Sequence, residues 1–119
     1  MVAHRLPPKR AHLRSIVHEA PGFCMAAEAD TAAGAVDLFF RFSPDVALID
    51  VRLPDRSGFE VAQCIRQARP GCFIILMTAA SDPFVDEVGR MLGVAAICDH
   101  SSELGRVREV LDYLLARRA

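Results

Sequence analysis

Asp45-Val46-Ala47-Leu48-Ile49-Asp50-Val51-Arg52-Leu53-Pro54-Asp55-Arg56-Ser57-Gly58 is the stretch that decides the fold. Four apolar residues, Val46 to Ile49, run without interruption into Asp50. A Pro54 to Gly58 turn follows, and a new amphipathic segment starts there. An unbroken apolar run of this length fits a strand buried on both faces, as in a parallel sheet covered by helices. A carboxylate at the C-terminal end of such a strand lies at the edge where open α/β sheets bind their ligands. An aspartate in that place can be a nucleophile, a metal ligand or both. It can equally be a turn former, because Asp favours turns. Position alone leaves these two readings of Asp50 evenly matched.

On both sides of this stretch, helical and strand-like patterns alternate. Pro7-Pro8 precede Leu13, Ile16, Val17 and Ala20 at helical spacing, and Pro21-Gly22 close that segment. Phe23 to Ala29 is predicted as a short apolar strand. Asp30 or Thr31 can cap a helix carrying Ala32, Ala33, Val36, Phe39 and Phe40, which Ser43-Pro44 stop. After Asp50, Gly58 to Ala68 places Phe59, Val61, Ala62 and Ile65 at helical spacing, up to Pro70-Gly71. Cys72 to Thr78 is a second continuous apolar strand. Asp82 to Leu92 is predicted helical, with Val85, Val88 and Met91 inward. Val94 to Cys98 is a third apolar strand. Ser101 or Ser102 with Glu103 opens a last helix carrying Leu104, Val107, Val110, Leu111, Leu114 and Leu115 on one face. This rhythm predicts right-handed βαβ units and a parallel sheet. No GxGxxG or P-loop occurs.

Composition bounds the function. The 119 residues suffice for one domain with a real core, so residues 1–119 are expected to form a single unit with no output domain. An apolar content of 52% argues against disorder. A net charge of -1 predicts no strong pull toward nucleic acid or membrane. The local basic cluster His4, Arg5, Lys9, Arg10 and Arg14 reads as a solvated helix face and tail. No apolar run approaches the ~18 residues of a membrane span, and no signal peptide opens the chain, so a cytoplasmic setting is expected. Cys24, Cys64, Cys72 and Cys98 show no metal spacing and read as small buried hydrophobes in a reducing compartment.

Several of these features together resemble the receiver domain of bacterial two-component response regulators, from about Leu13 onward. The marks are Pro44-Asp45 before the third strand, Asp50, Leu53-Pro54 with Ser57-Gly58, Thr78-Ala79, and Gly93-Val94-Ala95-Ala96. The Gly22-Phe23, Glu28-Ala29 and Val51-Arg52-Leu53-Pro54 wording resembles the branch that carries a helix-turn-helix output domain. The resemblance implies a flavodoxin-like α/β/α sandwich with five parallel strands in the order 2-1-3-4-5. In that order Val2 to Arg5 is predicted to form a short central first strand. The resemblance also implies that Asp50 accepts a phosphoryl group from a histidine kinase and that the Thr78 hydroxyl hydrogen-bonds it. Mg²⁺ is implied too, held by an acidic pair after the first strand, by Asp50, and by the backbone carbonyl of Arg52.

The chain departs from that pattern at three places. Counting back from the Leu13 helix puts the acidic pair at His4 and Arg5, and no other carboxylate precedes Glu19. One carboxylate and one carbonyl make a poor Mg²⁺ site. Arg5 would repel a dication and could pair with Asp50 instead. The lysine that usually pairs with the phosphate falls at His100, and Lys9 is the chain's only lysine. His100 is a weaker, pH-dependent counter-ion. Ile97 replaces the Tyr or Phe that often follows the threonine inward, and a buried β-branched residue is stiff.

The expectation is therefore an atypical receiver that signals through protein–protein contacts, with weak or no Mg²⁺-dependent phosphorylation. The alternative is a working phospho-switch at Asp50 that regulates transcription through a separate DNA-binding domain. Expected partners are a histidine kinase or another signalling protein, and a second copy through the last two helices, using Phe84, Val85, Val88, Met91 and Tyr113. Neither nucleic acid nor membrane is an expected partner. Beyond self-phosphorylation or dephosphorylation at Asp50, no enzyme activity is expected. An aspartate-nucleophile phosphatase would need Asp-x-Asp, and position 52 is Arg.

Overall fold

Burying Val46 to Ile49 on both faces requires helices above and below the strand, and the computed structural model supplies them. It describes residues 1–79, 82–99 and 104–118. The elements run β1 (Val2–Ala3), α1 (Pro7–Glu19), β2 (Glu28–Ala29), α2 (Ala32–Phe42), β3 (Val46–Asp50), α3 (Gly58–Ala68), β4 (Phe73–Thr78), α4 (Pro83–Leu92), β5 (Ala96–Asp99) and α5 (Leu104–Arg118). The strands form one parallel sheet in the order β2-β1-β3-β4-β5. This is the flavodoxin-like arrangement.

Side chains alternate across the sheet with the two-residue period of a strand. Ala47, Ile49, Ile74 and Leu76 face Ala32, Ala35 and Phe39 of α2 and Val61, Ala62 and Ile65 of α3. Leu48, Ile75, Met77 and Cys98 face Leu13 and Val17 of α1 and Val107, Leu111 and Leu114 of α5. All of these are buried.

The central strand is short, as expected, yet its ladder continues past both ends. The Met1 amine donates to the Val46 carbonyl at 2.9 Å, and Leu48 N–H donates to the Met1 carbonyl at 2.8 Å. At the other end His4 N–H donates to the Ala29 carbonyl at 3.0 Å. Arg5 lies beyond the ladder with its side chain 39% exposed. The brevity of β1 also shortens β2, which pairs only as Glu28 and Ala29 rather than over Phe23 to Ala29. An edge strand can be no longer than the neighbour that supplies its hydrogen bonds.

On α4 the inward face is Val85 and Gly89, whereas Met91 is 79% exposed. At 100° per residue, Val85, Gly89 and Leu92 share one stripe, and Met91 falls off it. Gly89 allows the helix to press onto β5, since a Cβ there would lie 2.6 Å from Ile97 Cδ1. On α2 the same geometry turns Ala35 and Phe39 inward and leaves Ala33 and Phe40 outside. Cys72 and Cys98 are buried, and burial raises both thiol pKa values. Cys24, expected inside, is exposed because β2 does not reach it. No helix among the described residues is long and apolar enough to cross a membrane.

Candidate functional site at the end of β3

Asp50 is the last residue of β3, paired in register with Met77 of β4 and 3% exposed. The chain then doubles back sharply. Gly58 N–H donates to the Val51 carbonyl at 2.7 Å, and Arg52 bridges Ser57. A Cβ on Gly58 would sit 2.1 Å from the Asp50 carbonyl oxygen, so this approach admits only glycine. Helix α3 begins there with reciprocal capping. Ser57 Oγ accepts from Phe59 N–H at 3.0 Å, and Ser57 N–H donates to Glu60 Oε2 at 3.3 Å.

The outer side of the same loop is tied to another helix. Asp55 Oδ1 accepts from Ala32 N–H at 2.7 Å, and Oδ2 from Ala33 N–H at 3.0 Å. Thr31 Oγ1 accepts from Gly34 N–H at 3.0 Å. The first three amides of α2 are thus all satisfied, two of them by a residue more than twenty positions away. These bonds, that from Ala32 first, hold the Asp55 carboxyl below the usual carboxylate range. A pKa depressed in the folded state contributes stability above the unfolded-state pKa, and that contribution is lost as pH falls through the folded value. Asp55→Ala is therefore expected to lower the thermal midpoint at neutral pH. The gap to wild type should close in acid, as melts across a pH series would show.

The Asp50 carboxylate has two different environments. Oδ1 accepts from Arg52 N–H at 3.1 Å. Oδ2 lies 3.5 Å from His4 Nδ1 and 3.7 Å from Arg5 Nε, and accepts no hydrogen bond among the described residues. His4 is fully buried, and its Nδ1 also accepts from Leu6 N–H at 3.1 Å. Its carbonyl accepts from Arg10 Nη1 at 2.9 Å. The two residues that stand at the expected acidic pair are thus the two cationic or potentially cationic groups beside Asp50.

Thr78 ends β4, is buried, and lines the same cleft as Asp50. This cleft of about 420 Å³ has Arg5, Arg52 and Asp82 among its charged residues. Its apolar side is Val51, Phe59, Phe84 and Val85. Asp82 caps α4, accepting from Phe84 N–H at 2.8 Å. Ile97 lies against Gly89, on the inner side of α4. His100 lies outside the described residues. Sequence patterns gave no warning of two features, the Asp55 tie to α2 and the edge-to-face contact of Phe59 with Phe84, centroids 6.2 Å apart. Both join residues too far apart in the chain for any local periodicity to reveal.

A family model described as the response regulator receiver domain matches residues 6–110. The chain is 32% identical over 91 residues to the "Probable transcriptional regulatory protein NarL" of Mycobacterium tuberculosis, covering 76% of this chain and 42% of that protein. It is 32% identical over 87 residues to the nitrate/nitrite response regulator protein NarP of Escherichia coli, covering 71% and 40%. The chain therefore spans less than half the length of these relatives. Among solved structures, the LuxR-family two-component response regulator from Aurantimonas sp. SI85-9A1 matches with a TM-score of 0.88 and 25% identity, over 98% of this chain and 83% of that one. The CheY-like receiver domain protein of Methanospirillum hungatei JF-1 matches in fold with a TM-score of 0.87 at 19% identity, over 98% and 91%.

Proposed function

This chain belongs to the response regulator receiver domains, and from that premise we propose that it is an atypical member. In this reading it signals through protein–protein contacts, with weak or no Mg²⁺-dependent phosphorylation at Asp50. The observation that carries the reading is the pair of groups on Asp50 Oδ2, with Arg5 Nε at 3.7 Å and His4 Nδ1 at 3.5 Å. Mg²⁺ takes octahedral oxygen ligands, usually one or two carboxylates with waters and phosphate. Among the described residues lining the pocket the carboxylates are Asp50 and Asp82, and Asp82 has one oxygen accepting from Phe84 N–H at the start of α4. A guanidinium beside Asp50 Oδ2 opposes a dication. We read this set, with Arg5 on the oxygen that a cation would take, as a poor fit to Mg²⁺. Arg5 instead offsets the Asp50 charge, and Arg52 N–H fixes the carboxylate through Oδ1.

The partners proposed are a histidine kinase or another signalling protein, and a second copy docking through α4 and α5. Phe84, Met91 and Tyr113 stand 65%, 79% and 58% exposed on those helices and suit such a contact. Val85, expected on the same face, is buried and takes no part. The alternative, a phospho-switch acting through a separate DNA-binding domain, draws on the retained Asp50 and Thr78.

One experiment separates the two. Incubation with acetyl phosphate and Mg²⁺, followed by intact mass, is expected to give no phosphoryl adduct under conditions that label an ordinary receiver. A near-stoichiometric adduct that disappears in Asp50→Ala would overturn the atypical reading.

A further inference from the structure

The cleft beside Asp50 is lined by two unlike kinds of side chain. Phe59 and Phe84 line it, their rings edge to face at 89°. Phe84 is 65% exposed although the next residue, Val85, is buried, so the ring projects beside the opening with one aromatic neighbour and little else over it. Arg5 and Arg52 line the cleft as well. The charges in the cleft are unevenly used. Arg5 and His4 already face Asp50, and Asp82 holds an amide of α4. The Arg52 guanidinium makes no ion pair or hydrogen bond among the described residues, its backbone N–H alone being engaged with Asp50. The volume, about 420 Å³, falls in the range of small-molecule sites, which are mostly apolar with a few placed polar groups.

We propose that this cleft binds a flat anionic small molecule, an aromatic ring carrying a carboxylate or phosphate. The ring packs against Phe84 and Phe59, as aromatic pairs favour offset or edge-on contact. The anionic oxygens meet the Arg52 guanidinium, whose planar fork matches both carboxylate and phosphate. An inorganic anion would leave the phenylalanine wall wet, and a neutral ring would leave Arg52 unused. The inference rests on the reading above in one respect: the Arg5 guanidinium already faces Asp50 Oδ2 at 3.7 Å, so Asp50 repels an incoming anion less than a lone carboxylate would. Occupancy of the cleft would then bear directly on Phe84 and on the start of α4.

The test is a titration of the full chain, metal-free in EDTA, followed by amide chemical shifts. Phenyl phosphate and benzoate are the probes. Inorganic phosphate and acetate control for charge, and benzyl alcohol controls for the ring. At least one probe is expected to bind saturably with a millimolar or tighter dissociation constant, centred on Val51, Phe59 and Phe84, and which of the two binds tighter distinguishes phosphate from carboxylate. Arg52→Gln and Phe84→Ala, both at exposed side chains, are each expected to weaken binding by about tenfold; Arg52→Gln should leave the thermal midpoint unmoved, and Phe84→Ala, which also loses the contact with Phe59, should lower it only slightly. Three results would each overturn the proposal: no saturable shift with either probe, controls that bind as tightly as the probes, or both variants binding like wild type. Failure here is distinguishable from failure of the atypical reading. A Mg²⁺-dependent adduct on Asp50 would sink that reading while leaving the Arg52 and Phe84 comparisons to stand or fall alone.

Discussion

Gly58→Ala is expected to cost about 3 kcal/mol or more of stability, at the upper end of what overpacking does. The added methyl meets backbone, not a side chain that could swing aside. Its nearest neighbours would be the Asp50 carbonyl oxygen at 2.1 Å, with the Asp50 carbonyl carbon and Val51 Cα both at 2.9 Å. The strand cannot retreat, because Asp50 is in register with Met77 and Val51 N–H donates to the Met77 carbonyl at 2.8 Å. The helix cannot retreat cheaply either, since Val61, Ala62 and Ile65 of α3 are buried against the sheet. Two other glycines calibrate the effect. A methyl at Gly89 meets the tip of Ile97, a side chain that can shift, and should give an intermediate loss. A methyl at Gly71 meets nothing within 4 Å and should change stability by no more than about 0.5 kcal/mol. Urea unfolding of the three variants should rank them in that order. A Gly58→Ala protein as stable as Gly71→Ala would mean that the turn after β3 is looser than described.

The double substitution His4→Asp, Arg5→Asp is expected to make the stability of the chain depend on magnesium. It removes both groups that face Asp50 Oδ2 and sets two carboxylates beside an oxygen that already lacks a hydrogen bond among the described residues. Like charges crowded in a buried site raise one another's pKa and destabilise the fold. In EDTA the variant should therefore melt well below wild type. Magnesium should restore it, because a ligand at a hundredfold its dissociation constant adds about 2.7 kcal/mol. Wild type should show no such gain. Melts of both proteins in EDTA and in magnesium decide the matter. A variant unmoved by magnesium, or a wild type that gains as much, would contradict this account of the pocket.

Much of this architecture could be read from local pattern. β3, β4 and α3 are bounded by prolines and glycines and filled by unbroken or helically spaced apolar residues, and their limits agree with expectation to within a residue. β2 could not be read this way. Its length is fixed by β1, which is a property of the partner and not of residues 23–29. The inward face of α4 was misjudged at Met91 because a helix only ten residues long leaves the phase of its stripe open to several choices. At the site, Asp50 stands out as the end of an apolar run. The approach of His4 and Arg5 to it followed from counting alone, given the resemblance. The bond from Asp55 to α2 and the Phe59–Phe84 wall depend on the three-dimensional meeting of distant segments. No single-chain periodicity encodes them.

The Asp55 carboxylate has a use beyond holding two segments together. It joins the loop that leaves Asp50 to the first two amides of α2, on a different part of the surface. Whatever loosens that loop must also release Ala32 and Ala33 N–H to solvent. Deuterium uptake at these two amides is thus a remote gauge of the Asp50 cleft. It can be read without a label, a metal or a ligand placed in the cleft itself.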